Sequence, residues 1–222
     1  MVEHVYRRAA EARGVGAVVV ATDDERIVAA VRAFGGVAMM TSSSHRTGTD
    51  RIAEVASRLS CDIVLNVQGD EPLLDPEMIE RVIAPLQSNR AITMSTACVP
   101  LRDRSDYENP NVVKVVLDQI GDALYFSRAA IPHLRTPDPG STIPDPVYKH
   151  IGLYGYRRTF LLTFATLPQT PLERSESLEQ LRALEHGYRI RTVVTTHDSI
   201  GVDTPEDLDR VRRQLLAVGA RT

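Results

Sequence analysis

Apolar residues at Val2, Val5, Ala9 and Ala12 recur at helical spacing and predict a helix over residues 2–13, stopped by Gly14. Short continuous apolar runs then alternate with helical stripes. Residues 17–21 read as a buried strand, residues 24–34 as a helix closed by Gly35 and Gly36, and residues 37–40 as a third apolar run. A polar loop, residues 41–51, opens a helix whose apolar positions are Ile52, Val55, Ala56 and Leu59. Residues 62–65 are short, rich in β-branched side chains and followed by Gly69 and Pro72, which predicts a strand buried on both faces of a parallel sheet. Asp75-Pro76-Glu77 announces a helix over residues 76–86, and residues 92–99 read as another strand. This alternation predicts an α/β protein with a mostly parallel, doubly wound sheet and right-handed crossovers.

Near residue 100 the pattern changes. Residues 109–118 and 123–128, separated by Gly121, predict a β-hairpin, and residues 150–156 read as a further strand. These antiparallel-type elements suggest an inserted lobe over about residues 100–160. Residues 136–146 hold four prolines and a glycine and are the nearest thing to a linker. Residues 177–184 predict an amphipathic helix with Leu178, Leu181 and Leu184 as its stripe, leaving Glu179 and Gln180 off it. After a last strand at residues 191–194, Thr204-Pro205-Glu206-Asp207 is a strong helix start, with Thr204 as N-cap and Asp207 in a box-like position. Asp203 is left just outside that cap.

In an open α/β sheet, ligands bind beyond the carboxyl ends of the strands, which is where Gln68, Asp70 and Glu71 stand. A solvated acidic turn is the plain alternative. The loop over residues 45–51 has similar chemistry: Gly48 permits close backbone approach, and hydroxyl, amide and Arg51 donors are available to a polar ligand. Its plain alternative is a helix cap by Thr49 or Ser44.

The 222-residue chain, 24.5 kDa, is long enough for one well-buried domain. A net charge of -3 and a pI near 6.1 argue against a nucleic-acid or anionic-membrane partner. Two cysteines, Cys61 and Cys98, make neither a disulfide framework nor a zinc cluster, which fits a reducing cytosol. No apolar stretch reaches the roughly 18 residues of a membrane span, and no secretory signal precedes the first helix.

The run Asn66-Val67-Gln68-Gly69-Asp70-Glu71-Pro72 resembles the QGDEP segment of the CMP-Kdo synthetases, the 3-deoxy-manno-octulosonate cytidylyltransferases. The loop over residues 45–51 and the string Gly201-Val202-Asp203-Thr204-Pro205-Glu206-Asp207 also resemble that family, the second marking sugar nucleotidyltransferases more broadly. The resemblance implies a Rossmann-like nucleotidyltransferase fold whose inserted antiparallel lobe carries sugar binding and dimerisation. It implies transfer of CMP from CTP to the anomeric hydroxyl of 3-deoxy-manno-octulosonate (Kdo), with release of pyrophosphate. Asp70 and Asp203 become the catalytic, magnesium-binding carboxylates, and Gly48, Thr49, Arg51 and Gln68 the nucleotide side. Gln68, Arg128, His150, Tyr154, Glu179 and Gln180 become the sugar-acid side. The chemistry suits that assignment: Arg128 offers a planar bidentate donor for a carboxylate, and His150 and Tyr154 can hydrogen-bond sugar hydroxyls. Lys149 adds positive charge, while Lys114 is open between reaching a phosphate and a structural role, and Arg135 between closing over the ligand and simple exposure. The product would feed lipopolysaccharide assembly in the cytosol, from a homodimer without membrane insertion.

One part of the family pattern is missing. The family opens with a strand and a phosphate-binding loop containing Arg, Ser, Leu-Pro-Gly and Lys, and no such run occurs in this sequence. The resemblance therefore leaves two alternatives open: a cytidylyltransferase for another 2-keto sugar acid, or a catalytically impaired truncated paralogue that only binds sugar acid.

Overall fold

The computed structural model describes residues 1–135, 143, 147–198, 201, 202 and 204–219, with side chains in the last helix through residue 214. In chain order the elements are α1 (Val2–Glu11), β1 (Val20–Thr22), α2 (Glu25–Ala33), β2 (Ala38–Met40), α3 (Gly48–Ser57), β3 (Ile63–Asn66), α4 (Pro76–Ser88), β4 (Met94–Pro100) and α5 (Arg104–Glu108). There follow β5 (Lys114–Leu117), β6 (Ala123–Ser127), β7 (Tyr148–Arg157), α6 (Arg158–Phe164), α7 (Pro171–Glu176), α8 (Gln180–Glu185), β8 (Arg191–Val194) and α9 (Pro205–Gly219). Local chemistry sets most of the boundaries. Asp24 and Asp75 cap α2 and α4 by accepting from the amides of Arg26 and Glu77, both at 2.8 Å. Thr204 and Asp207 exchange hydrogen bonds at the start of α9, the reciprocal box the sequence predicts. Gly121, at φ 85°, turns the β5–β6 hairpin where a side chain would be strained.

Two local expectations change. The cap of α3 is Thr47, not Thr49 or Ser44: its hydroxyl accepts from the Asp50 amide at 3.1 Å, and Thr49 lies inside the first turn. The helix predicted over residues 177–184 is α8 alone, which starts only at Gln180, because Ser177 takes a left-handed conformation, φ 52° and ψ 47°. Such a residue ends α7, and α8 starts afresh behind it. The sequence carries a signal for α7, since Thr170-Pro171-Leu172-Glu173 forms a capping box with proline at the first position.

β1 and β2 pair in parallel as a separate two-stranded sheet, and the other six strands form one mixed sheet. Its hub is β7. One edge of β7 pairs antiparallel with β4, while the other meets β3 through residues 154–157 and β5 through residues 148–149. β8 adds in parallel beyond β4. The strand expected to close an inserted lobe is thus the centre of the main sheet, and it makes the pairings around it antiparallel. Among the described strands β3 pairs along one edge only. Ile63, Val64 and Leu65 are accordingly half-buried, not enclosed on both faces as their composition suggests.

Helices cover both faces of this sheet. Leu74, Met78, Ile79 and Val82 pack with Ala9 and Ala12 of the α1 side against Ala97, Ile151 and Leu153. On the opposite face Phe160, Phe164 and Leu181 pack against Met94, Cys98, Phe126 and Tyr156. Gly155 lets α4 lie close on β7: a Cβ there would stand 2.7 Å from Ser95 Oγ and 2.8 Å from Leu86 Cδ1. Gly155→Ala should therefore destabilise the fold by about 1–3 kcal/mol, the usual cost of overpacking, read as a lower urea midpoint at unchanged slope. No helix among the described residues is long and apolar enough to cross a membrane.

Candidate active site

The loop after β3 is held by its backbone. The Glu71 amide donates to Gln68 O at 3.4 Å and the Leu74 amide to Glu71 O at 3.1 Å, giving a compact turn that delivers the chain to the cap of α4. Gln68 Nε2 donates to Asn66 Oδ1 at 3.3 Å. The Val202 amide donates to the Asp70 carbonyl at 2.9 Å, so the segment leading into α9 is fastened to the Asp70 turn. Asp203, the next residue in sequence, lies outside the described residues. The Asp70 carboxylate is on a partly exposed residue, and its side chain takes no part in that fastening.

The strand β7 is bent at this end of the sheet. Thr96 faces Tyr154 and Ala97 faces Ile151, so Gly152 and Leu153 are extra residues on β7, a bulge. The Thr96 hydroxyl serves the bulge, lying 2.8 Å from Leu153 O and 3.2 Å from Ile151 O. It also lies 3.0 Å from His150 Nε2. With the hydroxyl hydrogen committed to the carbonyls, Nε2 is the donor to Thr96 and Nδ1 is left as the acceptor of the ring. The bulge sets His150 and Tyr154 side by side, ring centroids 5.4 Å apart, with Phe126 closing the other flank at 4.9 Å. Between them Gly152 leaves room for Gln68, whose Cγ is 4.0 Å from where a Cβ would sit.

Burial of that ring pushes the His150 pKa down to about 3, although the residue keeps a partly exposed edge. The imidazole is therefore neutral at every ordinary pH. The unfolded chain takes up this proton near pH 6.5 and the folded chain does not. Stability should then be flat above pH 6.5 and fall below it, by at most about 1.4 kcal/mol per pH unit for this one group. Urea midpoints at pH 7 and 5.5, and an NMR signal of the His150 ring that does not titrate between them, check the sign. Burial also raises the phenol of Tyr154, keeping it a neutral donor.

Across the site the first turn of α3 meets α8. Thr49 is buried, and its hydroxyl donates to Glu179 Oε2 at 2.5 Å, joining residues 130 apart in sequence. Among the described residues Glu179 Oε1, shut off from solvent, has no hydrogen-bond partner; Arg182 Nη2 stands 3.5 Å away. Arg182 itself makes a bidentate pair with Glu173, and Gln180 is buried beside it. Arg128 is fixed by α7, its amide donating to Glu176 Oε2 at 2.9 Å and its Nε to Glu176 O at 2.8 Å.

A profile of the cytidylyltransferase family matches residues 1–190. The 3-deoxy-manno-octulosonate cytidylyltransferase of Geobacter metallireducens is 55% identical over 223 residues, covering 97% of this chain and 87% of the relative. That of Geobacter sulfurreducens is 56% identical, with 97% and 88% covered. The chain belongs to this family. A solved structure of CMP:2-keto-3-deoxy-manno-octonic acid synthetase complexed with CTP superposes with a TM-score of 0.90 at 40% identity, covering 97% of this chain and 87% of that one. The 4-diphosphocytidyl-2C-methyl-D-erythritol synthase of Anaerococcus prevotii, at TM-score 0.61 and 15% identity, shares the fold alone.

The residues singled out in the sequence meet different fates in the fold. His150 and Tyr154 lie side by side, Gln68 approaches Gly152, and Thr49 meets Glu179. Gly48 has open space around it, since a Cβ there would meet nothing within 4 Å. Arg51 turns away from an open pocket: Nη1 donates to Thr41 Oγ1 at 2.6 Å and Nη2 to Asp23 Oδ2 at 3.0 Å, tying the ends of β1 and β2 to α3. Glu179 and Gln180 point inward, where an amphipathic reading leaves them to solvent. Lys114 is structural: it is fully buried, with Nζ donating to the carbonyls of Asn109, Val112 and Arg128 at 2.8, 2.6 and 2.8 Å. Arg135 is exposed and Lys149 pairs with Asp198 at 2.9 Å. Sequence reasoning missed Thr96, Glu173 and Glu176, polar residues whose roles depend on partners far along the chain.

Proposed function

We propose that the chain transfers CMP from CTP to the anomeric hydroxyl of 3-deoxy-manno-octulosonate, releasing pyrophosphate, with Asp70 and Asp203 holding a magnesium ion. The observation that carries this reading is the Val202–Asp70 hydrogen bond, which fastens the residue preceding Asp203 to the Asp70 turn. The donors fit a hard cation: Asp70 presents a carboxylate on a backbone fixed independently of it. Among the described residues no group of three or more His, Cys, Asp or Glu forms a dedicated metal cage. Magnesium is commonly held by one or two carboxylates, with phosphate oxygens and water completing its shell. When bound, the ion supplies charge neutralisation at the triphosphate and orients the α-phosphorus for in-line attack.

The protein's own groups account for the rest by position. Gly48 and the capped turn of α3 offer backbone approach to the cytosine, with Gln68 reaching across from the β3 loop. His150 Nδ1 accepts from a sugar hydroxyl and Tyr154 donates to another, both held neutral by burial. Arg128, whose Nε and Nη1 donate to the carbonyls of Glu176 and Pro110, offers its Nη2 to the acid's carboxylate. The family relation supports a cytoplasmic homodimer that feeds lipopolysaccharide assembly.

The test is pyrophosphate release by the full chain with magnesium, CTP and either Kdo or a sialic acid. Release with Kdo and only background with the other acid is the expected result. Equal release with both, or binding of Kdo by a folded chain that never releases pyrophosphate, overturns the reading.

A further inference from the structure

Thr49 and Glu179 come from opposite sides of the site. Thr49 stands in the first turn of α3, on the nucleotide side, and Glu179 stands at the start of α8, on the acid side. Yet their side chains are committed to each other at 2.5 Å. The contact is built, not incidental. Thr49 is 2% exposed, and it sits in the turn that Thr47 caps, with the Thr47 hydroxyl accepting from the Asp50 amide at 3.1 Å. Behind Glu179 stands Arg182, whose guanidinium is locked on Glu173 and lies over the Phe164 ring at 5.0 Å. Glu173 is in turn anchored in the capping box of α7. A carboxylate at a helix N-terminus is also favoured by the unpaired amides and dipole of that end.

We infer that Glu179 is a positioning residue that locks the nucleotide-side turn of α3 to the acid-side helix α8, so that filling one half of the site raises affinity in the other. This rests on the functional reading above for which half takes which substrate. The physical reason is direct. A ligand that orders α3 holds Thr49 in place and thereby holds α8 through the Thr49–Glu179 hydrogen bond, and the converse applies to the acid. Coupling between sites is reciprocal, so one measurement in either direction gives its size.

The experiment compares the full chain with Thr49→Val, which keeps shape and loses the hydroxyl, and Thr49→Ser, which keeps the hydroxyl. CTP affinity is measured by calorimetry with and without saturating Kdo, and pyrophosphate release is followed in parallel. In the unaltered chain Kdo should tighten CTP binding by a factor on the order of 5- to 150-fold. That factor should fall toward one in Thr49→Val, with the KM of both substrates rising more than kcat falls, and return in Thr49→Ser. A general loss of stability would lower both affinities and leave their ratio alone. An unaltered factor in Thr49→Val, or a factor of one in an unaltered chain that turns over, overturns the lock and leaves the functional reading intact. A chain that does not turn over at all overturns both.

Discussion

Asp70→Asn should lower pyrophosphate release from CTP by about 100- to 1,000-fold, the usual cost of removing one electrostatic anchor of a transition state. The thermal midpoint should barely move. The two halves of that expectation come from different atoms of one residue. The carbonyl of Asp70 receives the Val202 amide at 2.9 Å and so fastens the segment entering α9. The carboxylate is not needed for that bond, and Asn has nearly the same shape. What Asn lacks is the charge a divalent cation requires. The magnesium concentration giving half-maximal rate should therefore rise together with the fall in kcat. A variant with the parent rate and the parent magnesium dependence would remove Asp70 from the metal site. A variant that unfolds readily would show that the side chain has a structural role the geometry does not reveal.

The elements that could be read from the sequence are those whose cause lies within a few residues. Asp24, Asp75 and the Thr204–Asp207 box announce helices because a cap and its amide are neighbours in sequence. Gly121 announces a hairpin for the same reason. The place of β7 was not legible, because pairing with β3, β4 and β5 together is decided by partners about 30 to 95 positions away. Its bulge was illegible too, although it is what puts His150 beside Tyr154. The candidate site shows the same division. The family resemblance named Glu179 and Arg51, but only the fold shows that each is bound to protein. Periodicity alone leaves Gln180 and Arg182 to solvent, since a polar residue on a six-residue helix carries no mark of what packs against it. The α7 cap is different. Its Thr170-Pro171-Leu172-Glu173 signal was complete in the sequence, masked by the stronger leucine stripe that follows.

Arg182→Met should destabilise the protein by about 3–5 kcal/mol, because it strands a buried carboxylate rather than because it deletes an attraction. Arg182 and Glu173 are each only 5% exposed by side chain, and the guanidinium grips both carboxylate oxygens, with Nε 2.9 Å from Oε2. Burial opposes ionisation of Glu173, but the Arg182 donors and the Thr170 amide outweigh it and hold the carboxyl below its ordinary value. A depressed carboxyl contributes stability above its unfolded value of 4.5 and loses it as pH falls below that point. The parent should therefore weaken through this pair below about pH 4.5, whereas Arg182→Met should show that dependence reduced or reversed. Replacing both members, Glu173→Leu with Arg182→Met, should recover most of the loss, leaving the cap of α7 as the remaining deficit of about 1 kcal/mol. Urea unfolding of the two variants at pH 7 and pH 4 separates these contributions. If the single variant lost less than about 1 kcal/mol, Glu173 would have found water or another donor, and the pair could not be the rigid backing for Glu179.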